Sequence, residues 1–357
     1  MSFLVPLSVL DLCPVPTGVA TGEALRRSVD LARHVEAWGY QRFWVAEHHN
    51  MPGIASSAPA VLSGQVAAAT TTIRVGSGGV MLPNHAPLVV AEQFGMLEAF
   101  YPGRIDLGIG RAPGTDQMTA LALRRSMEAL SADDFPEQLE ALLGFFAGHY
   151  QRVRAIPAEG NQPALWLLGS SGYSAQVAGR LGLPFAFAHH FSAANTEPAL
   201  ELYRRSFRPS EVLAEPYCLI GVAVVCAEDT ARAQWLHGSS RLSILRLRTG
   251  HPSTLPSPEE AAAYPYTGAD RALIASTTGT HVVGDPTVVL AQLGDLATRT
   301  GVDELMVTTS TFDHADRLRS YQLLGQAAGP GQKGSGAGQD GLYDLVAATF
   351  DGRGEGH

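Results

Sequence analysis

Cysteine is scarce. Cys13, Cys218 and Cys226 are the three in 357 residues, an odd number with no C-x-x-C spacing. That composition excludes a disulfide framework and fits a reducing, cytoplasmic setting. Charge is sparse too: 17% of residues, net −9, with no basic stripe, which argues against a nucleic-acid partner. No apolar run is long enough to span a membrane, and the first residues carry neither a basic n-region nor an apolar h-region. No G-x-G-x-x-G follows the first strand, which removes the main signal for a dinucleotide-binding open sheet.

What is present is apolar residue, 45% of the chain, enough for a large core. Short apolar segments read as strands at 7–12, 42–48, 73–82, 105–110, 164–169, 184–188, 217–227 and 305–309. Helical patterns lie between most of them, at 23–38, 59–70, 87–100, 135–146, 171–181, 197–206 and 287–300. Eight strands alternating with helices predict parallel pairing with right-handed crossovers, and hence an α/β fold of the (β/α)8 TIM-barrel type over 1–328. Residues 236–280 form an insertion after strand seven, long enough to be a mobile lid. Residues 329–357 are Gly-rich and read as a flexible tail.

A barrel of this kind carries its chemistry at the C-terminal ends of the strands. The stretch from Phe43 to Asn50 is the most loaded of these ends: apolar residues run into Glu47, His48 and His49. Adjacent histidines on a strand point to opposite sides, which weakens a metal reading, and no metal is expected. His48 is the candidate acid/base and His49 a packed or capped neighbour. The other strand ends supply Cys13, then Gly78 and Gly79, then Gly110 and Arg111, then Ser170, Ser171, Tyr173 and Ser174, and finally His189 and His190. Arg111, with hydroxyls at the opening of the 171–181 helix, suits a phosphate. An ordinary serine N-cap and an Arg111–carboxylate pair would account for the same residues.

Four separated motifs carry a resemblance: Trp44-Val45-Ala46-Glu47-His48-His49, Val75 to Pro83, Gly103 to Arg111, and Gly182-Leu183-Pro184. In this order they closely resemble the bacterial luciferase-like flavin monooxygenases, over about residues 6–325, and among these the single-chain oxidoreductases. The resemblance implies that His48 is the catalytic histidine beside the flavin, and that Arg111, Ser171 and Ser174 hold its phosphate. Tyr173 and Gly110 would share that cofactor site. Gly78-Gly79 would be a cis peptide beneath the flavin ring. Cys13, His189 and His190 are candidates for the substrate pocket. Gly110 stands where luciferase has a reactive cysteine, so nothing dependent on that thiol carries over.

The activity implied is a monooxygenase that uses reduced FMN and O2 to oxygenate a small apolar aldehyde or ketone through a flavin C4a-hydroperoxide. A separate NAD(P)H-dependent flavin reductase would supply the FMN. The alternatives are F420-dependent hydride transfer on the same fold and a non-catalytic flavin-binding relative. Relatives of this kind pair through helices after strands two and three, so a homodimer is expected.

Overall fold

The structure, a computed structural model, describes residues 5–112, 116–124, 134–148, 150 and 152–329. The Gly-rich tail lies, from residue 330, outside these residues. The strands are β1 (Leu7–Asp11), β2 (Arg42–Val45), β3 (Arg74–Met81), β4 (Ile105–Gly110), β5 (Ala164–Gly169), β6 (Phe185–Phe187), β7 (Cys218–Cys226), β8 (Val282–Gly284) and β9 (Glu304–Thr308). All the ladders between them are parallel. β1 to β6 pair in sequence order, β6 pairs β7, β7 pairs β9 and β9 pairs β1, so eight strands close into a barrel. The (β/α)8 expectation therefore holds. β8, absent from the sequence reading, pairs with the end of β7 outside the closed ring.

The outer layer contains α1 (Thr21–Ala37), α2 (Pro59–Ala69), α3 (Pro87–Phe100), α4 (Gln117–Arg124), α5 (Phe135–Phe146), α6 (Gly172–Arg180), α7 (His189–Ser192), α8 (Thr196–Ser206), α9 (Thr230–Arg248), α10 (Pro258–Ala263), α11 (Gly268–Thr278), α12 (Pro286–Thr300) and α13 (His314–Ala328). α1 buries Ala24, Ser28, Leu31, Ala32 and Val35, the i, i+4, i+7 spacing of one helical face. The 236–280 segment, expected as a long loop, lies largely within α9, α10 and α11. Its connection over 249–257 is tied down: Thr17 N–H donates to the Leu255 carbonyl and Leu255 N–H to that of Val15, each at 2.9 Å.

Alternation along the strands explains how the barrel is filled. On β2, Phe43 and Val45 face the helices and join the main core, whereas Arg42 and Trp44 point inward. The inward residues form layers. At the N-terminal end of the barrel, Arg42 meets Glu304 and Asp106, Arg74 meets Asp106, and the Ser8 hydroxyl donates to Glu304. Tyr217 donates to Glu304 at 2.9 Å and Trp44 Nε1 to Asp106 at 2.8 Å. Above this lies an apolar layer of Leu10, Trp44, Trp166, Ala186, Leu219 and Met306. The Arg42 guanidinium stacks 4.7 Å from the Trp166 ring and so bridges the layers. Above the apolar layer the barrel opens.

Candidate active site

The opening is a cavity of about 510 Å³ at the C-terminal ends of the strands, where the sequence places the chemistry. Its floor is the apolar layer: Leu10, Trp44, Ala186, Leu219 and Met306 all line it. One side carries Arg111, Gly169, Ser170, Ser171 and Ser174, and His48 and His190 also line the wall.

β2 ends at Val45, earlier than expected, because the chain leaves the sheet to meet the loop before α2. His48 N–H donates to the Ser56 carbonyl at 2.9 Å, and the Ser56 hydroxyl donates to the Ala46 carbonyl at 2.5 Å. Glu47 and His48 therefore sit on a bent connection rather than on a strand. The Glu47 carboxylate is fully buried. It accepts from His49 Nε2 at 2.9 Å, His85 Nε2 at 2.9 Å, Asn84 Nδ2 at 3.1 Å and the Met81 backbone N–H at 3.0 Å. Burial pushes its pKa up, but the hydrogen bonds from His49 and His85 outweigh that and hold it at about 2. One carboxylate thus clamps the loops after β2 and β3 together, and His49 is a supporting residue, as expected.

Gly78-Gly79 is a cis peptide. Gly78 lines the cavity, and a Cβ there would stand 2.7 Å from Leu10 Cδ1 and 3.2 Å from Trp44 Cβ. Gly79 packs behind it against the Gly108 carbonyl.

At the anion side, Ser171 is the N-cap of α6, yet its side chain makes no capping hydrogen bond. No carboxylate pairs with Arg111 among the described residues; its guanidinium lies 4.3 Å above the Tyr173 ring instead. Ser171 thus holds the N-cap position with its hydroxyl not committed to the cap. What stands here is a cation, three serine hydroxyls and a helix N-terminus facing one cavity, a donor set that fits a phosphate. Tyr173 carries Arg111 and is not itself part of the wall.

Two expected pocket residues are elsewhere. Cys13 is buried beside Asp11, whose carboxylate takes its backbone N–H at 2.7 Å, and burial together with the Asp11 charge pushes the thiol up to about 12. His189 turns outward, where its Nδ1 pairs with the Thr196 hydroxyl at 2.8 Å beside a groove between α8 and α12. Its neighbour His190, one residue further round the first turn of α7, lines the cavity. The sequence reading missed Met81, Leu168, Phe191, Gly221 and Met306, which also line the cavity. Gly221 alone had a signal: a glycine inside the apolar run of β7 marks a close approach. Among the described residues no cluster of three or more His, Cys, Asp or Glu is placed to hold a metal, and no helix is long and apolar enough to cross a membrane.

The profile of the luciferase-like monooxygenase family matches residues 5–304. YvbT of Bacillus subtilis (strain 168) is 54% identical over 89% of this chain and 95% of its own length. The N-acetyl-S-alkylcysteine monooxygenase of the same organism is 36% identical over 91% of this chain and 98% of its own. The crystal structure of apo-MsnO8 superposes with a TM-score of 0.85 at 41% identity, covering 91% of this chain and 98% of that one. The fold, the site at the strand ends and these matches agree: the chain belongs to the luciferase-like monooxygenase family and is an oxidoreductase.

Proposed function

We propose that the chain is a flavin-dependent monooxygenase that takes reduced FMN from a separate NAD(P)H-dependent reductase and uses O2 to oxygenate a small apolar, aldehyde- or ketone-like substrate. The observation that carries this reading is Arg111, which has no carboxylate partner among the described residues and lines the same apolar-floored cavity as Ser171 and Ser174. Reduced FMN, when bound, supplies the two electrons that activate O2; one oxygen atom enters the substrate and the other leaves as water.

The chain's own residues bind, orient and exclude water. Arg111 and the α6 N-terminus would hold the phosphate. Gly78 would let the flavin ring approach the backbone, and the floor of Leu10, Trp44, Leu219 and Met306 keeps the chamber dry. His48 would move a proton at the reacting oxygen, held in place by its Ser56 contact and the neighbouring Glu47 clamp. Among the described residues Arg111 is the single arginine or lysine lining the cavity, which suits the short phosphate of FMN better than the longer acidic tail of F420. Two copies would pair through α2 and α3, where Val61 and Phe100 are 68% and 70% exposed.

The test is anaerobic titration with photoreduced FMN and with reduced F420, followed by mixing with 18O2 and a panel of aldehydes and cyclic ketones. Tight FMN binding and one labelled oxygen per product are expected, with His48→Ala losing turnover about 10²- to 10⁴-fold. Stronger F420 binding, or wild-type turnover in His48→Ala, overturns the reading.

A further inference from the structure

His190 is the second imidazole on the cavity wall and has no task in the scheme above. It lies in the first turn of α7, and its Nδ1 is 2.9 Å from the Gly221 carbonyl oxygen. A carbonyl only accepts, so Nδ1 carries the proton. In a neutral imidazole the other nitrogen, Nε2, is then a lone-pair acceptor. The ring is neutral near pH 7: burial lowers its pKa to about 4, against the opposing pull of the Gly221 carbonyl.

Gly221 makes the position possible. A Cβ there would stand 2.9 Å from both Nδ1 and Cε1 of the ring. Among the described residues Nε2 has no hydrogen-bond partner, and it is not among the polar atoms sealed from solvent without one. The ring is therefore locked by one nitrogen, and its other polar edge opens on the cavity it lines. Phe191 packs 4.1 Å from the imidazole and Leu219 and Met306 stand in the same chamber, while His48 lines it too and is close enough to act electrostatically on the ring. Among the described residues no carboxylate lines the cavity, so an ammonium group would enter without a counter-charge from them. Hydroxyl and amide N–H are the donors that suit this site.

We infer that His190 is a specificity-determining residue whose Nε2 accepts a hydrogen bond from a substrate hydroxyl or amide N–H. The enzyme then prefers substrates with such a donor beside their apolar part. This inference rests on the proposed reading of the cavity as a substrate chamber. An acceptor on the wall of a largely apolar chamber discriminates because a ligand without a donor leaves it desolvated and unpaired.

The experiment compares n-decanol with methyl n-nonyl ether, which match in heavy-atom count and differ in the donor. Dissociation constants are measured by equilibrium dialysis on FMN-saturated enzyme, and again on the flavin-free protein. Wild type should bind the alcohol about tenfold tighter, the size of one neutral hydrogen bond. His190→Phe should bring the ratio to about one while FMN affinity is unchanged. Gly221→Ala keeps the imidazole but displaces it, and should lower the ratio as well. His190→Asn retains an acceptor and should restore part of it. Equal affinities in wild type, an undiminished ratio in His190→Phe, or failure of both probes to bind overturns the inference. A preference seen in the flavin-free protein that fails to bind FMN would sink the flavin reading and leave this one standing.

Discussion

Arg42 grips Glu304 through two parallel hydrogen bonds, Nε to Oε1 at 2.7 Å and Nη2 to Oε2 at 3.0 Å, inside the closed barrel. Its remaining nitrogen, Nη1, reaches Asp106 at 2.8 Å. Burial pulls the Arg42 pKa down, but the Glu304 and Asp106 charges outweigh it and raise it above its ordinary value. Arg42→Leu removes the one group that faces both carboxylates. It should cost about 3–5 kcal/mol in urea unfolding. Arg42→Leu combined with Glu304→Leu should cost less than the two single changes together, since the pair is coupled.

Arg111→Leu should separate phosphate recognition from ring recognition. A hydrogen bond to a charged group contributes about 1.5–3 kcal/mol, so FMN affinity should fall roughly tenfold to a hundredfold. Riboflavin, which lacks the phosphate, should bind the variant as it binds wild type. Equal losses for both ligands in fluorescence titration would remove Arg111 from the phosphate site.

Glu47 sets an acid limit. Its pKa falls from an ordinary value of 4.5 to about 2 in the fold. A depressed carboxylate contributes stability above its unfolded pKa and loses it as pH falls through the folded value. Stability should therefore decline between about pH 4.5 and 2, by on the order of 3 kcal/mol. Glu47→Gln should flatten that part of the profile and lower stability at neutral pH. An unchanged acid slope in the variant would show that other carboxylates govern it.

The α2–α3 surface can be tested by charge. Phe100→Glu puts a carboxylate on the proposed seam and should convert a dimer to a monomer in light scattering, with the circular dichroism spectrum unchanged. A wild-type monomer would end this proposal.

Punctuation made much of the fold legible. α3, β4, α5 and β5 have the bounds their sequence suggests. Pro87 opens α3, Pro136 lies in the first turn of α5, and Gly110 and Gly169 close strands. The 236–280 segment reads as irregular although helix starts are written just before it and within it. Asp229 caps α9, Ser257 caps α10, and Thr267 with Asp270 forms a capping box on α11. Polar, proline-bearing composition concealed those signals. β8 is only three residues, too short to show a period. Arg111, His48 and the serines line the cavity from the ends of the strands, where the sequence places them. The choice between His189 and His190 depended on the turn into α7, and the Arg42–Glu304–Asp106 cluster on partners far apart in the chain. Local pattern specifies neither.

The pairing of β7 with β9 has a kinetic meaning. Both strands close the ring, yet β8 and helices α9 to α12 intervene between them in the chain. Each doubling of a loop adds only about 0.6 kcal/mol to its closure, so the excursion barely burdens the equilibrium. It delays the search instead, because contacts distant in sequence form late. The ladder from β1 to β6 should gain hydrogen-exchange protection first during refolding. The β7–β9 and β9–β1 seams should follow, and the cavity takes its final shape only when they shut.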